Sequence, residues 1–295
     1  MYPKPRVGFN QQPSYARDSF ALVRAVLLSA ARWLDRARAV CLSLGLGTLR
    51  IHHLRAGIAD TWRSYNVDDE EIASGLDANE KEVIARFVKP GDRLLVVGCG
   101  TGRDVIPLAR MGCDVVGVDP VPEAVISARR MLSSLRLTAE IIEGYLEDVE
   151  VPGLFDVILF SNLCYSYFPE SQRRTTVLRR AGTQLSADGR ILVTYLTMRQ
   201  PFQTRMLACL QFAARVSRSD WQPEGGDHLN PISSSRAGFG YEHFFGPGDL
   251  EREAIQAGLR VIPHDQHPLA RPLLVLARAQ SGASDEQASC SGGGR

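Results

Sequence analysis

Short apolar runs rich in Val, Ile and Leu recur along the second and third thirds of the chain, and segments with helical spacing separate them. Such runs are typical of strands buried on both faces of a sheet. The alternation favours a doubly wound α/β fold with a mostly parallel seven-stranded sheet. The predicted strands lie near 93–97, 114–118, 138–143, 155–160, 189–195, 259–263 and 272–278, and the predicted helices near 102–111, 121–133, 170–185 and 248–257.

The last two predicted strands are too close in sequence for a helix to lie between them. Val261-Ile262 and the run 273–276 are separated by a short segment that contains three prolines. Parallel neighbours need a crossover of about a dozen residues or more, usually a helix, whereas antiparallel neighbours do not. We therefore expect the last strand to be antiparallel, in a hairpin at the sheet edge.

A helical stripe precedes this domain and predicts an N-terminal helical extension. Gly45 and Gly47 are expected to end the helix, and arginines 24, 32 and 36 fall outside its apolar face. The favoured interpretation is a helix packed on the catalytic domain or on a twin subunit. A basic helix on a membrane surface and a pre-sequence or cloning remnant are the alternatives. The apolar positions are Phe20, Val23, Leu27, Ala30, Leu34, Ala37, Cys41 and Leu44.

Composition changes along the chain predict three regions. These are a helical extension or cap over 1–75, an α/β domain over 76–280 and a Ser/Gly-rich tail over 281–295 whose composition is typical of disorder.

Asp77 and Glu80 have the spacing of a capping box and predict a helix over 78–88. An insertion at about 197–245 is expected to hold a helix, Gln203 to Val216, and a Gly/Ser/Pro-rich loop, Ser219 to Gly240.

The most informative segment joins the first predicted strand to the helix after it. Three alternating glycines, Gly98, Gly100 and Gly102, follow an apolar run, and the next strand ends on a single carboxylate, Asp119. A glycine turn lets the backbone approach a ligand. An acid after the neighbouring strand can accept hydrogen bonds from ribose hydroxyls. Arg103 stands where a dinucleotide fingerprint needs glycine or alanine, and no Walker lysine follows, so a nucleoside without a pyrophosphate fits best.

At these residues the chain resembles the class I S-adenosylmethionine-dependent methyltransferases over about residues 60–280. Six segments resemble the family's motifs in order: Leu94 to Asp104, Val116 to Pro120 with Glu123-Ala124, Ile141 to Tyr145, Phe155 to Ile158 with Asn162, Leu185 to Leu192 as the turn before the fifth strand, and Phe245 to Leu259 as the last helix and sixth strand. The resemblance implies S-adenosyl-L-methionine as cofactor and a Rossmann-like fold.

The resemblance also assigns roles to residues. The backbone at Gly98, Cys99 and Gly100 would line the methionine moiety and Asp119 would hold the ribose, while Tyr65 lies where many relatives place an aromatic ring over the cofactor. Asp119 could instead be a helix-capping aspartate, and Pro120 suits both interpretations. Tyr145 and Leu146 would flank the adenine and Asn162 would border the methionine end. The full set of expected cofactor contacts is Gly98, Cys99, Gly100, Thr101, Gly102, Asp119, Pro120, Tyr145, Leu146 and Asn162.

Two positions depart from the family pattern. Val96 stands where the family has an acid two residues before the first glycine, and Tyr145 stands where it has an acid that meets the adenine amino group. Either the cofactor binds more weakly, or Asp104 or Glu143 substitutes, or the protein is a catalytically silent binding or scaffold module. The last of these is the principal alternative to an enzyme. An enzyme using the same pocket for another transfer and a nicotinamide oxidoreductase are further alternatives.

The acceptor is expected to meet the loop after the fourth strand and the insertion. The loop is aromatic and lacks the Asn-Pro-Pro-Tyr/Phe or Asp-Pro-Pro-Tyr sequence of enzymes that methylate nucleic-acid bases. The formal charge of +1 gives no general attraction to phosphates, so no nucleic-acid partner is expected and a small-molecule acceptor is predicted. Candidates for contact or proton removal are Tyr165, Tyr167, His228, Tyr241 and His243.

Composition adds three expectations. Six scattered cysteines without ligand spacing indicate reduced core thiols and a cytoplasmic protein. His52-His53 has no accompanying ligands at metal spacing, so no metal is expected. Arg24 interrupts the most apolar stretch, Phe20 to Ala31, which is too short for a membrane span.

Overall fold

The structure is a computed structural model. It describes residues 20–63, 72, 75–76, 78–198, 204–231, 239–265 and 272–279. Tyr65, Asp77 with its predicted capping box, and the tail 281–295 lie outside the described residues. The division into three regions therefore stays a prediction.

Helices and strands alternate through the central part of the chain as expected. The described helices are α1 Ala21–Leu46, α2 Ile51–Arg63, α3 Ala78–Ala85, α4 Val105–Arg110, α5 Pro122–Ser134, α6 Ser171–Thr183, α7 Thr204–Ser217 and α8 Asp249–Gln256, with a 3₁₀ segment at Ser161–Tyr167. The described strands are β1 Arg93–Val97, β2 Asp114–Asp119, β3 Glu140–Glu143, β4 Phe155–Phe160, β5 Leu185–Thr194, β6 Leu196–Thr197, β7 Asp227–Pro231, β8 Phe239–Phe245, β9 Leu259–Ile262 and β10 Leu273–Arg278.

Seven strands form the main sheet in the order β3-β2-β1-β4-β5-β10-β9. The first five run parallel, and β10 pairs antiparallel with both β5 and β9, so the antiparallel last strand is confirmed. From β1 the chain first adds β2 and β3 on one side, and it then adds β4 and β5 on the other side. The strand order therefore reverses between β1 and β4. A crevice at the carboxyl ends of the strands is expected at this switch point.

Alternate residues of β1 enter different hydrophobic cores on the two faces of the sheet. Leu95 and Val97 belong to one core, and Leu94 and Val96 belong to the other. All four are at most 3% exposed, which explains why the run carries no polar residue. Val96 lies in the core and not in an open crevice.

The fifth strand begins earlier than the sequence predicted. Residues 185–188 were expected to form a turn, but β5 starts at Leu185, which pairs with Phe155 across an irregularity in the ladder. The sequence Asp188-Gly189 is typical of a turn and so indicated a loop here. These residues instead belong to β5, because β5 pairs with β4.

The insertion is more ordered than its composition suggested. Its predicted helix is present as α7, but β7 lies within the predicted loop and pairs antiparallel with β8, while β6 pairs parallel with β8. Buried residues of β8, α7 and α2 share a third apolar cluster around Trp221. That tertiary cluster, which the local sequence does not reveal, accounts for the hairpin.

The first helix packs on the domain only through its C-terminal part. Ser43 and Gly47 are buried, and a Cβ on Gly47 would lie 2.4 Å from the carbonyl oxygen of Leu210 in α7. Residues 21–36 are all exposed. Among the described residues, no helix is long and apolar enough to cross a bilayer.

Candidate functional site

The glycine turn follows β1 and approaches the neighbouring loops closely. Gly98 and Gly100 have φ of 70° and 53°, in the left-handed region that favours glycine. A Cβ on Gly98 would lie 2.6 Å from the Cβ of Cys164, whereas a Cβ on Gly100 would meet nothing within 4 Å. The loop after β4 therefore requires glycine at 98, and Gly100 leaves its backbone open to the crevice.

Asp119 connects the end of β2 to this turn. One carboxylate oxygen accepts a hydrogen bond from the Gly100 N–H at 2.8 Å, and the other accepts one from the Val121 N–H at 2.9 Å. The residue is 7% exposed, and burial raises the pKa of its carboxyl although these two N–H donors lower it. Asp119 thus organises the turn and the segment just before α5, but it does not cap that helix, whose N-cap is Val121 without a side-chain hydrogen bond. It also lines the cavity described next.

One cavity lies at the switch point and gathers most of the predicted contacts. Of the ten expected cofactor residues, nine line it, while Gly102 faces Ala128 of α5 and is not among the lining residues. Their contacts with a cofactor stay predictions. The predicted residues in the lining are Gly98, Cys99, Gly100, Thr101, Asp119, Pro120, Tyr145, Leu146 and Asn162.

Tyr145 meets a side chain that the sequence reasoning missed. The guanidinium of Arg55, from α2, lies 4.3 Å from the centre of the Tyr145 ring and forms ion pairs with Glu147 and Asp148. Arg55 and Tyr145 both line the cavity. Burial raises the pKa of Tyr145, although the charge of Arg55 opposes the rise. At this position a stacked cation and phenol replace the family's acid.

The loop after β4 is held in an unusual backbone conformation. Asn162 and Leu163 have φ of 44° and 67°, which non-glycine residues rarely adopt. The Leu163 N–H donates a hydrogen bond to Thr194 Oγ1 at 2.9 Å, which stabilises the bend. Asn162 lines the cavity as a result.

Neither proposed substitute for the missing acid lines the cavity. Asp104 is 3% exposed, accepts a hydrogen bond from Ser161 Oγ and pairs with Arg103 at 3.0 Å. Ser161 and Arg103 line the cavity, so Asp104 reaches it only through these neighbours. Glu143 is exposed at the end of β3 and is absent from the lining.

The acceptor candidates separate into buried, exposed and cavity-lining residues. Tyr165 donates to Glu253, and Tyr241 and His243 bond to Asp227, all in the interior. His228 is exposed, against Phe244. Tyr167 alone of the five lines the cavity, where its ring makes an edge contact with Trp62 at 5.1 Å.

A buried ionic network lies beside the site and was not foreseen. Arg174 of α6 pairs with Glu253 of α8 at 2.7 Å and with Glu224 of the insertion at 2.6 Å. Ligand-type atoms of Glu224, Asp227 and His243 lie within 4.8 Å of one another, but Arg174, Tyr241 and backbone N–H groups already bond to these carboxylates. Because these carboxylates already have hydrogen-bond and ion-pair partners, we interpret Glu224, Asp227 and His243 as part of an ion-pair network and not as a metal site.

Four of the missed lining residues come from α2. Ile51, Leu54 and Ile58 repeat at helical spacing and are buried, which is the signal that could have predicted this helix. The packing of this buried face brings Arg55, Ala59 and Trp62 to the cavity, together with Ile58. Lining residues that the sequence did not assign to the site include Arg55, Ile58, Ala59, Trp62, Arg103, Ala124 and Arg173, whereas Phe168 belongs to the loop that was expected to meet the acceptor.

Comparison with known proteins agrees with this geometry. Residues 94–189 match the family model described as a methyltransferase domain. A ubiquinone biosynthesis O-methyltransferase of Azorhizobium caulinodans is 30% identical over 180 residues, 60% of this chain and 63% of the relative. A magnesium-protoporphyrin O-methyltransferase of Rhodobacter capsulatus is 29% identical over 138 residues, 43% of this chain and 61% of the relative. The chain thus spans less than two thirds of both relatives.

Solved structures share the fold. The CcbJ methyltransferase from Streptomyces caelestis has a TM-score of 0.51 at 15% identity, covering 73% of this chain and 100% of that protein. The sheet order and the matched domain define an α/β protein with the fold of these methyltransferases. Residues 94–189 thus carry a methyltransferase domain, and the chain is similar to O-methyltransferases.

The residues present fit S-adenosylmethionine, the cofactor that the resemblance implies. A side chain on Gly100 would occupy space that the structure leaves open, and Asp119 has a buried carboxylate on the same cavity. A carboxylate can accept more hydrogen bonds than the two that Asp119 receives from the backbone.

Proposed function

We propose that the protein transfers a methyl group from S-adenosylmethionine to a small-molecule acceptor. The observation that carries the proposal is one cavity lined both by the glycine turn with Asp119 and by the aromatic side chains of Trp62, Tyr167 and Phe168. S-adenosylmethionine supplies a methyl group already activated on a sulfonium. The protein's task is to position the two reactants and exclude water.

In this proposal the chain's residues bind the cofactor along the cavity. Asp119 accepts hydrogen bonds from the ribose hydroxyls, and Tyr145 and Leu146 flank the adenine. Backbone groups at Gly98 and Gly100 line the methionine moiety, and Asn162 borders its end. The buried thiols of Cys99 and Cys164 have pKa values raised well above the usual range by desolvation, so they stay protonated and do not compete for the methyl group.

The aromatic wall supports a flat, apolar acceptor. Rings of Trp62 and Tyr167 meet edge to face, and such surfaces pack well against other aromatic groups. The relatives with 30% and 29% identity are both named as O-methyltransferases, which supports an oxygen atom as the site of methylation. A hydroxyl acceptor must lose its proton. Tyr167 donates a hydrogen bond to Glu242 at 3.4 Å, so its hydroxyl can take the acceptor's proton while it passes its own proton to that carboxylate.

Calorimetry and a labelled transfer assay test the proposal. We expect binding of S-adenosylmethionine and S-adenosylhomocysteine but not of NAD. We also expect a labelled methyl group to appear on a metabolite when extracts are incubated with the protein and labelled cofactor. Binding without transfer, or no binding, would favour the silent scaffold that the Val96 and Tyr145 departures suggest.

Replacing Tyr167 by Phe tests its proton-transfer role once that acceptor is in hand. We expect kcat to fall at least about a hundredfold, the usual contribution of a positioned acid or base, with the affinity for S-adenosylhomocysteine unchanged. Tyr195→Phe is the control, because Tyr195 is half-buried against Phe245 and does not line the cavity. A kcat within a few-fold of wild type would assign Tyr167 to packing alone.

A cytoplasmic location is proposed as well. All five cysteines in the described part of the chain are free thiols, which supports a reducing compartment.

A further inference from the structure

The N-terminal part of α1 projects from the domain with its apolar side chains exposed. Residues 21–36 are all exposed, a length of about 24 Å at 1.5 Å per residue. A contiguous apolar surface of this kind usually marks an interaction site. The large apolar side chains here, between 50% and 77% exposed, are Phe20, Leu22, Val23, Val26, Leu27, Leu28, Trp33 and Leu34.

Most of these side chains share one side of the helix. Successive residues of a helix are about 100° apart around its axis, and six of these side chains fall within an arc about 140° wide. In order around the axis they are Leu22, Trp33, Val26, Val23, Leu34 and Leu27. Val40 and Leu44 extend the same arc toward the C-terminal end of α1. The arc is broader than the seam of two-stranded coiled coils.

The charges of α1 are arranged around this apolar arc. Arg24 and Arg38 fall toward one border of the arc, and Arg32 and Arg36 fall toward the other. The one acidic residue between 20 and 44, Asp35, lies between the two pairs on the opposite face. Four arginines and one aspartate give this helix a net charge of +3, whereas the whole chain carries +1.

We propose that α1 lies in the surface of a bilayer that contains anionic lipids, with its apolar arc among the acyl chains. Arginines at both borders can then bind lipid phosphates, which their planar guanidinium groups match well. Trp33, which is 67% exposed, lies within the arc, where an indole ring suits the interface. The helix lies on the bilayer and does not cross it.

A second copy of the chain fits this helix less well. Two α1 helices packed through their apolar arcs would bring arginine-lined borders together with only Asp35 to offset them. An anionic surface instead attracts the net positive charge of the helix, at about 1 kcal/mol for each basic residue near the surface. Charge complementarity therefore favours lipid.

Vesicle flotation with the full chain tests the proposal. We expect the protein to float with vesicles of phosphatidylcholine and phosphatidylglycerol in equal parts, to bind phosphatidylcholine alone more weakly, and to dissociate as salt is raised. Leu27→Glu should lower the partition coefficient at least about tenfold, because it places a charge in the apolar arc. Ile126→Glu is the matched control, since Ile126 of α5 is 63% exposed and Leu27 is 62% exposed.

The fluorescence of Trp33 reports where the helix lies. Brominated acyl chains should quench the fluorescence of the exposed Trp33. The variant Trp33→Phe should lose this quenching, because Trp221 is fully buried and Trp62 faces the cavity. Its flotation with vesicles should persist. Thermal unfolding of each variant verifies the fold without relying on methyl transfer. Equal flotation of wild type and Leu27→Glu would overturn the proposal. So would a lipid-free dimer that Leu27→Glu dissociates, which would make this face an interface between copies.

Discussion

At the scale of single residues, the carboxylate of Asp119 has a structural task and, in the proposed function, a binding task as well. Its two oxygens accept backbone hydrogen bonds from Gly100 and Val121, so the acid fixes the turn that it faces. Its remaining lone pairs are available to a ligand in the cavity. The sequence predicted this residue because its signal is local, an acid directly after a buried strand. The hydrogen bond to the turn was not predictable, since it joins segments 19 residues apart.

Replacing Asp119 by Asn should weaken the binding of S-adenosylhomocysteine by about 1–3 kcal/mol, since charge-assisted hydrogen bonds to the ribose are lost. Calorimetry measures the change. Asp114→Asn, at the exposed start of the same strand, should leave the affinity unchanged. Equal affinities in all three proteins would remove the ribose assignment.

The pH dependence of the same affinity provides a second readout of Asp119. Burial raises the pKa of this carboxyl, so the ionised form is lost at a less acidic pH than for an ordinary aspartate. We expect the affinity for S-adenosylhomocysteine to fall as the pH is lowered through that raised pKa, and to lose this dependence in Asp119→Asn. The stability of the free protein has the opposite sign: the contribution of Asp119 is greatest below its unfolded pKa and declines as the pH rises through the folded one.

At the scale of elements, α2 decides how the cavity is closed. Its buried face packs in the cluster around Trp221, and a Cβ on Gly57 would lie 2.9 Å from the Phe239 ring, so the helix contacts β8 closely. The strands and helices of the central sheet were predictable, because each buried run carries its own pattern. The place of α2 was not, since it depends on contacts with an insertion about 150 residues further along the chain.

Arg55→Ala should weaken cofactor binding about three- to thirtyfold, because the ring of Tyr145 loses its stacked cation and Glu147 and Asp148 lose their partner. Arg55→Lys should recover only part of the affinity, since an ammonium does not stack as a guanidinium does. Titration with S-adenosylhomocysteine measures both. Arg50→Ala, at an exposed position just before α2, is the control. An unchanged affinity in Arg55→Ala would separate Arg55 from the site.

Gly47→Ala should destabilise the contact between α1 and α7 by about 1–3 kcal/mol. The new Cβ would lie 2.4 Å from the Leu210 carbonyl oxygen and 2.7 Å from the Ala213 Cβ. Gly45→Ala provides the opposite case: nothing lies within 4 Å of its Cβ, and alanine favours the helix, so stability should stay equal or rise. Urea unfolding of the two variants measures the difference, and equal losses would contradict the close contact.

At the scale of the whole molecule, one buried cation joins parts that the sequence keeps far apart. Arg174 is 1% exposed and contacts α8 through Glu253 and the insertion through Glu224. The guanidinium also donates to the Phe168 carbonyl, next to the cavity wall. Composition predicted an insertion but not this network, because single charged residues in a sequence do not reveal their partners.

Arg174→Met should destabilise the protein by about 3–5 kcal/mol, because Glu224 and the buried Glu253 would lose the cation that they share. Denaturant unfolding is the measurement. Arg179→Met, at an exposed position of the same helix α6, should change stability by less than about 1 kcal/mol. Similar losses in the two variants would show that the network contributes little.

The link from Arg174 to Glu224 has a consequence for exchanging parts between related enzymes. A graft that replaced the insertion to alter acceptor choice would remove Glu224 and leave a guanidinium in the interior with one carboxylate in place of two. Successful chimeras must therefore transfer an acid at that position or neutralise Arg174 together with it. In the proposed function, acceptor preference and folding would therefore be inherited as a unit.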